Sequence, residues 1–375
     1  MMAAAMSPKE RIEAVLWGGR PDKVPFAPYI EMVPRGDFAR ELRNRGMALW
    51  TFRTRIMRAI TPNCRAETTI NGNLCTRYVH TPVGTVSTVV RTGLTRNASR
   101  ERSVMEKGLI CSPEDFAPVI YMLDDEQLVL DDENYWWTKM DLGQDGHVRV
   151  RAELTPPYMA AFGYFGHGTN HGIERFVYAQ QDNPTEFQSL LEAIERRNQR
   201  ALPLVLASAA DVICIGDING HYGPRTYRDR IVPWYQEYVP QLHARGKLVY
   251  NHAHSSHLKG YLDYIPLTGL DMVDAFTPPP IGDLSVAEAR RAWGNDIAIA
   301  VNFPESIFLE GRQATYDYVR RIVESDPNGR LIIGFTEMGI SMVSDPQTEA
   351  LFKEGMRAIM DAIDDACGCP RGGVA

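Results

Sequence analysis

Residues 211–216 read Asp-Val-Ile-Cys-Ile-Gly and are followed directly by Asp217. A short apolar run of this kind, bounded by polar residues and glycine, is typical of a strand that is buried on both faces. Comparable runs follow along the chain, and further strands are predicted at residues 247–250, 272–275, 297–302 and 331–335. The sequence therefore contains at least one extended set of buried strands.

The segments between these strands have the periodicity of amphipathic helices. Helices are predicted from residue 184, at 225–245, at 255–268, from residue 285, at 312–325 and from residue 345. Strands that alternate with helices form βα units and a parallel sheet. The glycine-rich phosphate turns that a doubly wound sheet would favour are absent from the sequence. We therefore expect an α/β protein with a (β/α)8 TIM-type barrel.

The N-terminal part of the chain predicts additions to this barrel. Ser7, Pro8 and Glu10 form the pattern of a capping box and predict an N-terminal helix. Residues 68–92 are rich in Thr, Val and Tyr and are broken by two turn signals, which predicts a β-hairpin excursion. The acidic and aromatic segment 124–146 is expected to be a loop. We predict a single barrel domain over residues 1–370, with residues 371–375 as a C-terminal tail.

Composition excludes several classes of protein. The 375 residues are 44% hydrophobic and 23% charged, which is ordinary for a globular protein. A net charge of -7 argues against a nucleic-acid-binding protein. No apolar run approaches the roughly 20 residues that span a bilayer, and the first residues lack the pattern of a secretory signal. We expect a cytoplasmic protein with reduced cysteines, in which Cys214 is buried and inert.

Polar side chains follow four of the predicted strands, where barrel proteins place their functional residues. His252 and His254 are two residues apart on an extended segment, so both imidazoles can converge on one metal ion. The third ligand remains open among Glu337, Asp217 and His257. Alternatively, these histidines only form hydrogen bonds to a ligand or to the backbone. The other candidates after strand ends are His221, Tyr222, Asn302 and Glu305.

The segment 162–171 is rich in glycine and aromatic residues. We predict that Tyr164, Phe165 and His167 form a substrate wall and lid at the barrel mouth. An equally weighted alternative is a surface loop whose aromatic side chains pack inward.

The sequence resembles uroporphyrinogen decarboxylase-like proteins over nearly its whole length. The stretches that carry the resemblance are residues 7–25, 81–85, 216–254, 269–271 and 334–340. This resemblance implies a TIM-type barrel. True decarboxylases of the family carry an arginine-rich segment near the N-terminus, of the type RQAGR. Residues 29–36 of this chain lack it and contain Glu31 instead, which disfavours a polycarboxylate substrate.

Another branch of the family contains corrinoid-linked methyltransferases. Its thiol-methylating members bind zinc through a His-x-Cys pair and a later cysteine. In this chain His254 stands at the first cysteine position, and residues 336–340 contain no cysteine. Nitrogen and oxygen ligands make a harder, more Lewis-acidic ion, which suits activation of an ether or an amine rather than a thiol.

The resemblance thus implies transfer of a methyl group from an O- or N-methylated small molecule to a corrinoid (cobalamin-type) cofactor on a partner protein. It implies a zinc ion held by His252, His254 and Glu337, which polarises the leaving heteroatom. Asp217 is a fourth ligand or fixes an imidazole. Asp217 and His221 are the catalytic residues. Tyr222, Asn302 and His221 orient the substrate.

Two alternatives remain at this point. One is a metal-free lyase, such as a decarboxylase acting on a tetrapyrrole or another carboxylate, with Asp217 and His221 as acid and base. The other is a non-catalytic corrinoid- or tetrapyrrole-binding module. The sequence leaves open whether the chain works alone or as a homodimer.

Overall fold

The computed structural model describes most of the chain, namely residues 5–33, 36–52, 54–94, 103–166, 169, 171–218, 222–253, 257–326, 329–335 and 345–368. The strands in chain order are β1 Leu49–Trp50, β2 Met57–Ile60, β3 Arg65–Asn71, β4 Leu74–Thr81, β5 Gly84–Arg91, β6 Val104–Lys107, β7 Gln127–Leu130, β8 Gly146–His147, β9 Val150–Arg151, β10 Val212–Ile218, β11 Leu248–Ala253, β12 Met272–Phe276, β13 Ala298–Asn302 and β14 Leu331–Gly334.

The α-helices are α1 Pro8–Leu16, α2 Asp37–Asn44, α3 Phe116–Asp125, α4 Glu133–Leu142, α5 Pro157–Tyr164, α6 Gly172–Asp182, α7 Pro184–Ala207, α8 Pro224–Thr226, α9 Val232–His243, α10 Val286–Trp293, α11 Arg312–Glu324 and α12 Pro346–Cys367. None of these described helices is long and apolar enough to cross a membrane. The predicted capping box is confirmed, because the Ser7 hydroxyl accepts from the Glu10 amide at 3.2 Å and the Ser7 amide donates to the Glu10 carboxylate at 2.7 Å.

The chain divides into two compact units, whereas the sequence predicts one domain with a hairpin excursion. The first unit contains residues 1–55, 133–151 and 209–375, and the second contains residues 56–132 and 152–208. The predicted excursion over residues 68–92 is present as β3, β4 and β5, and it belongs to the second unit. There it forms an antiparallel sheet of order β3-β4-β5-β6.

A closed parallel barrel forms the first unit. Six strands lie in the order β14-β13-β12-β11-β10-β9, and β1 pairs in parallel with β8. The segment around residues 26–29 completes the ring, because Phe26 bridges Ile333 of β14 and Tyr29 bridges Trp50 of β1. A further bridge joins Thr54 to Val150 of β9. Counted through these pairings, the described residues supply the eight strand positions of the predicted (β/α)8 barrel.

The barrel strands are apolar because both faces are covered. Ile213, Ile215, Val249, Val273 and Ile299 are each 0% exposed. Burial of such side chains stabilises a fold by about 1.5–3 kcal/mol each. At the start of β8, Gly146 is required by close packing, since a Cβ there would lie 2.0 Å from the Leu49 carbonyl oxygen.

Two predicted local elements are wrong. Residues 255–268 do not form an α-helix in their described part, which contains only short 3-10 turns at Lys259–Tyr261 and Pro266–Thr268. Pro266 lacks an amide proton and Gly269 adopts the left-handed conformation, so a continuous helix is not favoured there. The segment 124–146 is not a loop, because it contains β7 and α4.

Candidate functional site

Three acidic or imidazole side chains lie side by side at the carboxyl ends of neighbouring barrel strands. In the strand register Asp217 of β10 is opposite His252 of β11, and His252 is opposite Asp274 of β12. The carboxyl ends of parallel barrel strands are where this architecture places its active sites. These three residues therefore define the candidate site.

Both flanking strands are irregular at the site. The register of β10 shifts between Cys214 and Asp217, and that of β12 shifts between Val273 and Phe276. Gly216 has a φ of 63° and Ala275 has a φ of 55°, which is unusual for a residue with a side chain. Bulges of this kind re-aim the neighbouring side chains and are frequent beside active sites.

His252 is held through its Nδ1 atom. This atom lies 3.0 Å from Oδ2 of Asp274 and 3.1 Å from the hydroxyl oxygen of Tyr29. Tyr29 uses its one hydroxyl proton to donate to the same Asp274 oxygen at 2.5 Å. Since both neighbours of Nδ1 then offer only lone pairs, Nδ1 carries the imidazole proton and donates it. Nε2 of a neutral His252 is left with its lone pair.

Asp274 is a buried carboxylate that stays ionised. It is 2% exposed, and burial alone would raise its pKa. The positive charge of Arg149 and the hydrogen bonds from His252 and Tyr29 outweigh burial and lower the pKa of Asp274 to about 2. The same environment raises the pKa of the Tyr29 hydroxyl well above its ordinary value, chiefly through burial.

Arg149 supplies the counter-charge from the third barrel strand, which is the segment 146–151 that contains β8 and β9. Its Nη1 lies 2.9 Å from Oδ2 of Asp274, and its Nε donates to the Thr51 carbonyl at 2.6 Å. The guanidinium is fully buried against three aromatic rings, those of Trp50, Tyr29 and Tyr250, at 4.3, 4.6 and 4.9 Å. An arginine so enclosed is fixed in position and charge.

A second ion pair lies beside this network. Arg151 donates to Oδ2 of Asp217 at 2.6 Å, and the two side chains are 35% and 16% exposed. The charge of Asp217 outweighs burial and raises the pKa of Arg151. The half-buried ring of Phe52 lies 4.8 Å from the imidazole of His252 and stacks on Tyr29 at 4.9 Å. The site thus combines an apolar wall with a paired charge.

Tyr222 and Asn302, two other residues predicted to bind substrate, form hydrogen bonds within the protein. The hydroxyl of Tyr222 donates to the Asp217 carbonyl at 2.7 Å, and its own carbonyl accepts from Tyr261. Asn302 is 1% exposed and donates to the hydroxyl of Thr277 at 2.9 Å. Their predicted roles in orienting substrate stay predictions. His167, His221, His254 and Glu337 lie outside the described residues.

The prediction for Phe165 is corrected. Phe165 is 1% exposed and lies in the core of the second unit, where its ring contacts Phe116 and Phe176 at 5.9 and 5.6 Å. Its ring is therefore used for packing in this core. Tyr164 packs against the same core, and burial raises its pKa to about 12. The alternative of inward-packed aromatic residues applies to Phe162, Tyr164 and Phe165, the described aromatic residues at the start of this segment.

Within the described residues, no group of three or more His, Cys, Asp or Glu side chains is arranged to hold a metal ion. Two of the three predicted ligands, His254 and Glu337, lie outside those residues, so the full predicted set is not among them. Cys214 is fully buried, and burial raises its pKa to about 12, as expected for an inert thiol.

Sequence reasoning missed four residues of the site, namely Tyr29, Arg149, Arg151 and Asp274. For two of them a signal was available. Asp274 is a charged residue inside a buried apolar strand, and Arg149 alternates with valines in the run from Val148 to Arg151. A charged residue in such a strand is seldom buried without a partner.

Comparison with known proteins agrees with this architecture. The sequence model described as uroporphyrinogen decarboxylase (URO-D) matches residues 138–358, which is more than half of the chain. The chain belongs to the uroporphyrinogen decarboxylase family. A solved structure described as a methyltransferase from Methanosarcina mazei has the same fold, with a TM-score of 0.55 and 11% sequence identity over 96% of this chain and 99% of that one. A search of curated protein sequences finds no match.

Proposed function

We propose that this member of the family transfers a methyl group from an O- or N-methylated small molecule to a reduced corrinoid carried by a partner protein. The observation that carries the proposal is the hydrogen bonding of His252, whose Nδ1 donates to Asp274. In the neutral imidazole this tautomer makes Nε2 the nitrogen with a lone pair. The fold shared with a protein described as a methyltransferase is a second support.

Zinc fits the residues on which the proposal rests. A histidine that donates its second ring nitrogen to a carboxylate is the usual form of a zinc ligand, because the carboxylate fixes the ring and increases its basicity. His252 has this form, with Asp274 as the carboxylate. His254 and Glu337 would complete a set of two nitrogen ligands and one oxygen ligand. When bound, zinc supplies Lewis-acid polarisation of the leaving heteroatom.

The surrounding residues would bind the methyl donor and handle its proton. Phe52 offers an apolar surface next to His252. His221 would give a proton to the heteroatom as the methyl group departs. Asp217, whose carboxylate is paired with Arg151, would hold the donor or an imidazole in position. Tyr222 and Asn302 would orient the donor from the neighbouring strand ends.

The charge arrangement disfavours decarboxylation of a polycarboxylate at this site. Recognition of several carboxylates requires cationic side chains that are not already neutralised. The two arginines of the third barrel strand are both neutralised, Arg149 by Asp274 and Arg151 by Asp217. The site therefore suits a substrate of low charge better than a polycarboxylate.

A methyl-transfer assay tests the proposal. Zinc-loaded protein is mixed with chemically reduced cobalamin and a panel of methyl ethers and methylamines, and methylcobalamin is followed by its absorbance. We expect at least one donor to react, and His252→Ala to abolish the reaction. His243→Ala is the matched control, since His243 is an exposed histidine that pairs with Asp271. Loss of a carboxylate as CO2, with no methyl transfer, would contradict the proposal.

A further inference from the structure

The antiparallel sheet of the second unit has two unlike edges. β6 has four residues, and its pairing with β5 is interrupted by a register shift between Val89 and Val90. A short and irregular edge strand is protected against pairing with other chains. β3 has seven residues, all of them exposed, and pairs with β4 without interruption from Arg65 to Asn71. Among the described strands, β4 is its one neighbour.

The main-chain groups of β3 that face away from β4 can be assigned. A two-residue turn joins β3 and β4, so the flanking residues Asn71 and Leu74 exchange hydrogen bonds. Because hydrogen-bonded pairs alternate along an antiparallel ladder, the odd-numbered residues of β3 bond to β4. The outward N–H and C=O groups therefore belong to Ala66, Thr68 and Ile70.

We propose that β3 is a self-association edge, which pairs antiparallel with β3 of a second copy of this chain. Exchange of hydrogen bonds requires even-numbered residues of the two copies to face each other. The register with Thr68 opposite the partner's Thr68 meets this requirement and pairs the full length of both strands. Two four-stranded sheets then become one continuous sheet around a two-fold axis.

The side chains of β3 are complementary to themselves in this register. On one face Ile70, which is 76% exposed, lies opposite the partner's Ala66, and a threonine pair lies on the axis. On the other face Arg65 lies opposite the partner's Asn71, and Glu67 opposite the partner's Thr69. No like charges are directly opposite. Glu67 also forms an ion pair with Arg65 of its own chain at 3.2 Å, and Nε2 of His80 lies 3.4 Å from its carboxylate.

The area that two paired β3 strands would bury limits the stability of the dimer. A strand of this length extends over about 24 Å, and pairing along one edge buries less than the roughly 800 Å² per partner of a standard stable interface. We therefore expect reversible dimers whose population rises with protein concentration.

Sedimentation velocity over a concentration series tests this inference. Thr68→Pro removes an outward amide at the centre of the edge and leaves the bonds to β4 intact, a position where edge strands accept proline. Ile70→Lys removes the apolar contact and places a charge at the interface. Val83→Lys is the matched control, because Val83 is a 54% exposed valine in the turn between β4 and β5, away from the β3 edge. Circular dichroism verifies that each variant is folded.

We expect the unmodified protein to dimerise, both edge variants to weaken dimerisation by about tenfold or more, and Val83→Lys to have no effect. A protein that remains monomeric up to millimolar concentration would overturn the inference. So would a dimer that a folded Thr68→Pro variant forms with unchanged affinity, because its interface would then lie elsewhere.

Discussion

Nδ1 of His252 lies 3.0 Å from Oδ2 of Asp274, since β11 and β12 place the two residues directly opposite each other. Tyr29 and Arg149, from two further barrel strands, converge on the same carboxylate oxygen. One buried carboxylate therefore fixes the orientation and the protonation of the imidazole. The proposed chemistry depends on this arrangement more than on any other.

Asp274→Asn should weaken both zinc binding and the fold. The amide no longer fixes the imidazole proton on Nδ1, and loss of such a partner typically lowers metal affinity about 10- to 100-fold. The buried Arg149 also loses its counter-charge, which costs about 3–5 kcal/mol of unfolding free energy. Chelator competition and urea unfolding measure the two effects. Asp271→Asn, in the exposed pair with His243, should leave zinc affinity unchanged.

Tyr29→Phe should have a smaller effect than Asp274→Asn. The ring keeps its stacking on Phe52, and Asp274 keeps its contacts with His252 and Arg149. The bond that the hydroxyl donates to Asp274 and its contact with Nδ1 of His252 are lost, which costs about 1–2 kcal/mol of stability. Chelator competition measures the zinc affinity of this variant, and urea unfolding measures its stability. A zinc affinity that falls as far as in Asp274→Asn would show that the hydroxyl, and not the carboxylate, fixes the imidazole.

Acid should destabilise the protein through His147. Burial lowers the pKa of His147 from 6.5 to about 4, although the Asp211 carboxylate 3.7 Å away opposes this shift. Between these two pH values the unfolded chain binds a proton that the folded protein does not, so stability falls as the pH falls. The full loss is about 3 kcal/mol, reached near pH 4.

Urea unfolding at pH 7 and pH 5 measures this loss. His147→Gln should reduce the difference in unfolding free energy between the two pH values. His243→Gln, which alters an exposed histidine, should not reduce it. An unchanged difference in His147→Gln would assign the acid sensitivity to other groups.

Phe165→Leu should affect stability and not substrate binding. Its ring fills the core of the second unit, so the smaller side chain should lower the unfolding free energy by about 1–3 kcal/mol. The KM for the methyl donor should stay within about twofold of the original value. A large increase in KM in a folded variant would restore the substrate-wall hypothesis for this residue.

The second half of the barrel could be predicted from sequence, whereas the first half could not. The strands from β10 onwards are continuous apolar runs separated by periodic helices, and they produce a strong local signal. β1, β8 and β9 are two residues long, and the residues of the second unit interrupt the chain around them. Their pairing depends on contacts between distant segments, which no local pattern records.

The residues of the candidate site likewise differ in whether the sequence predicts them. His252 could be predicted because it follows the predicted strand 247–250 and has a histidine two residues away. Its partners Asp274, Tyr29 and Arg149 are 22 residues or more away in sequence and become neighbours only when the barrel closes. For Phe165 the composition of the segment suggested a lid, but an aromatic residue is as useful in a core, and packing decided between the two.

Nitrogen NMR of the His252 imidazole determines the tautomer on which the proposed zinc site depends. Protein labelled with 15N-histidine is compared with His252→Gln to assign the ring signals, first free of metal and then with added zinc. For the neutral imidazole the structure predicts a proton on Nδ1 and none on Nε2, with zinc shifting Nε2 while Nδ1 keeps its proton. A neutral imidazole that carries its proton on Nε2, or His252 signals that do not respond to zinc, would contradict this assignment.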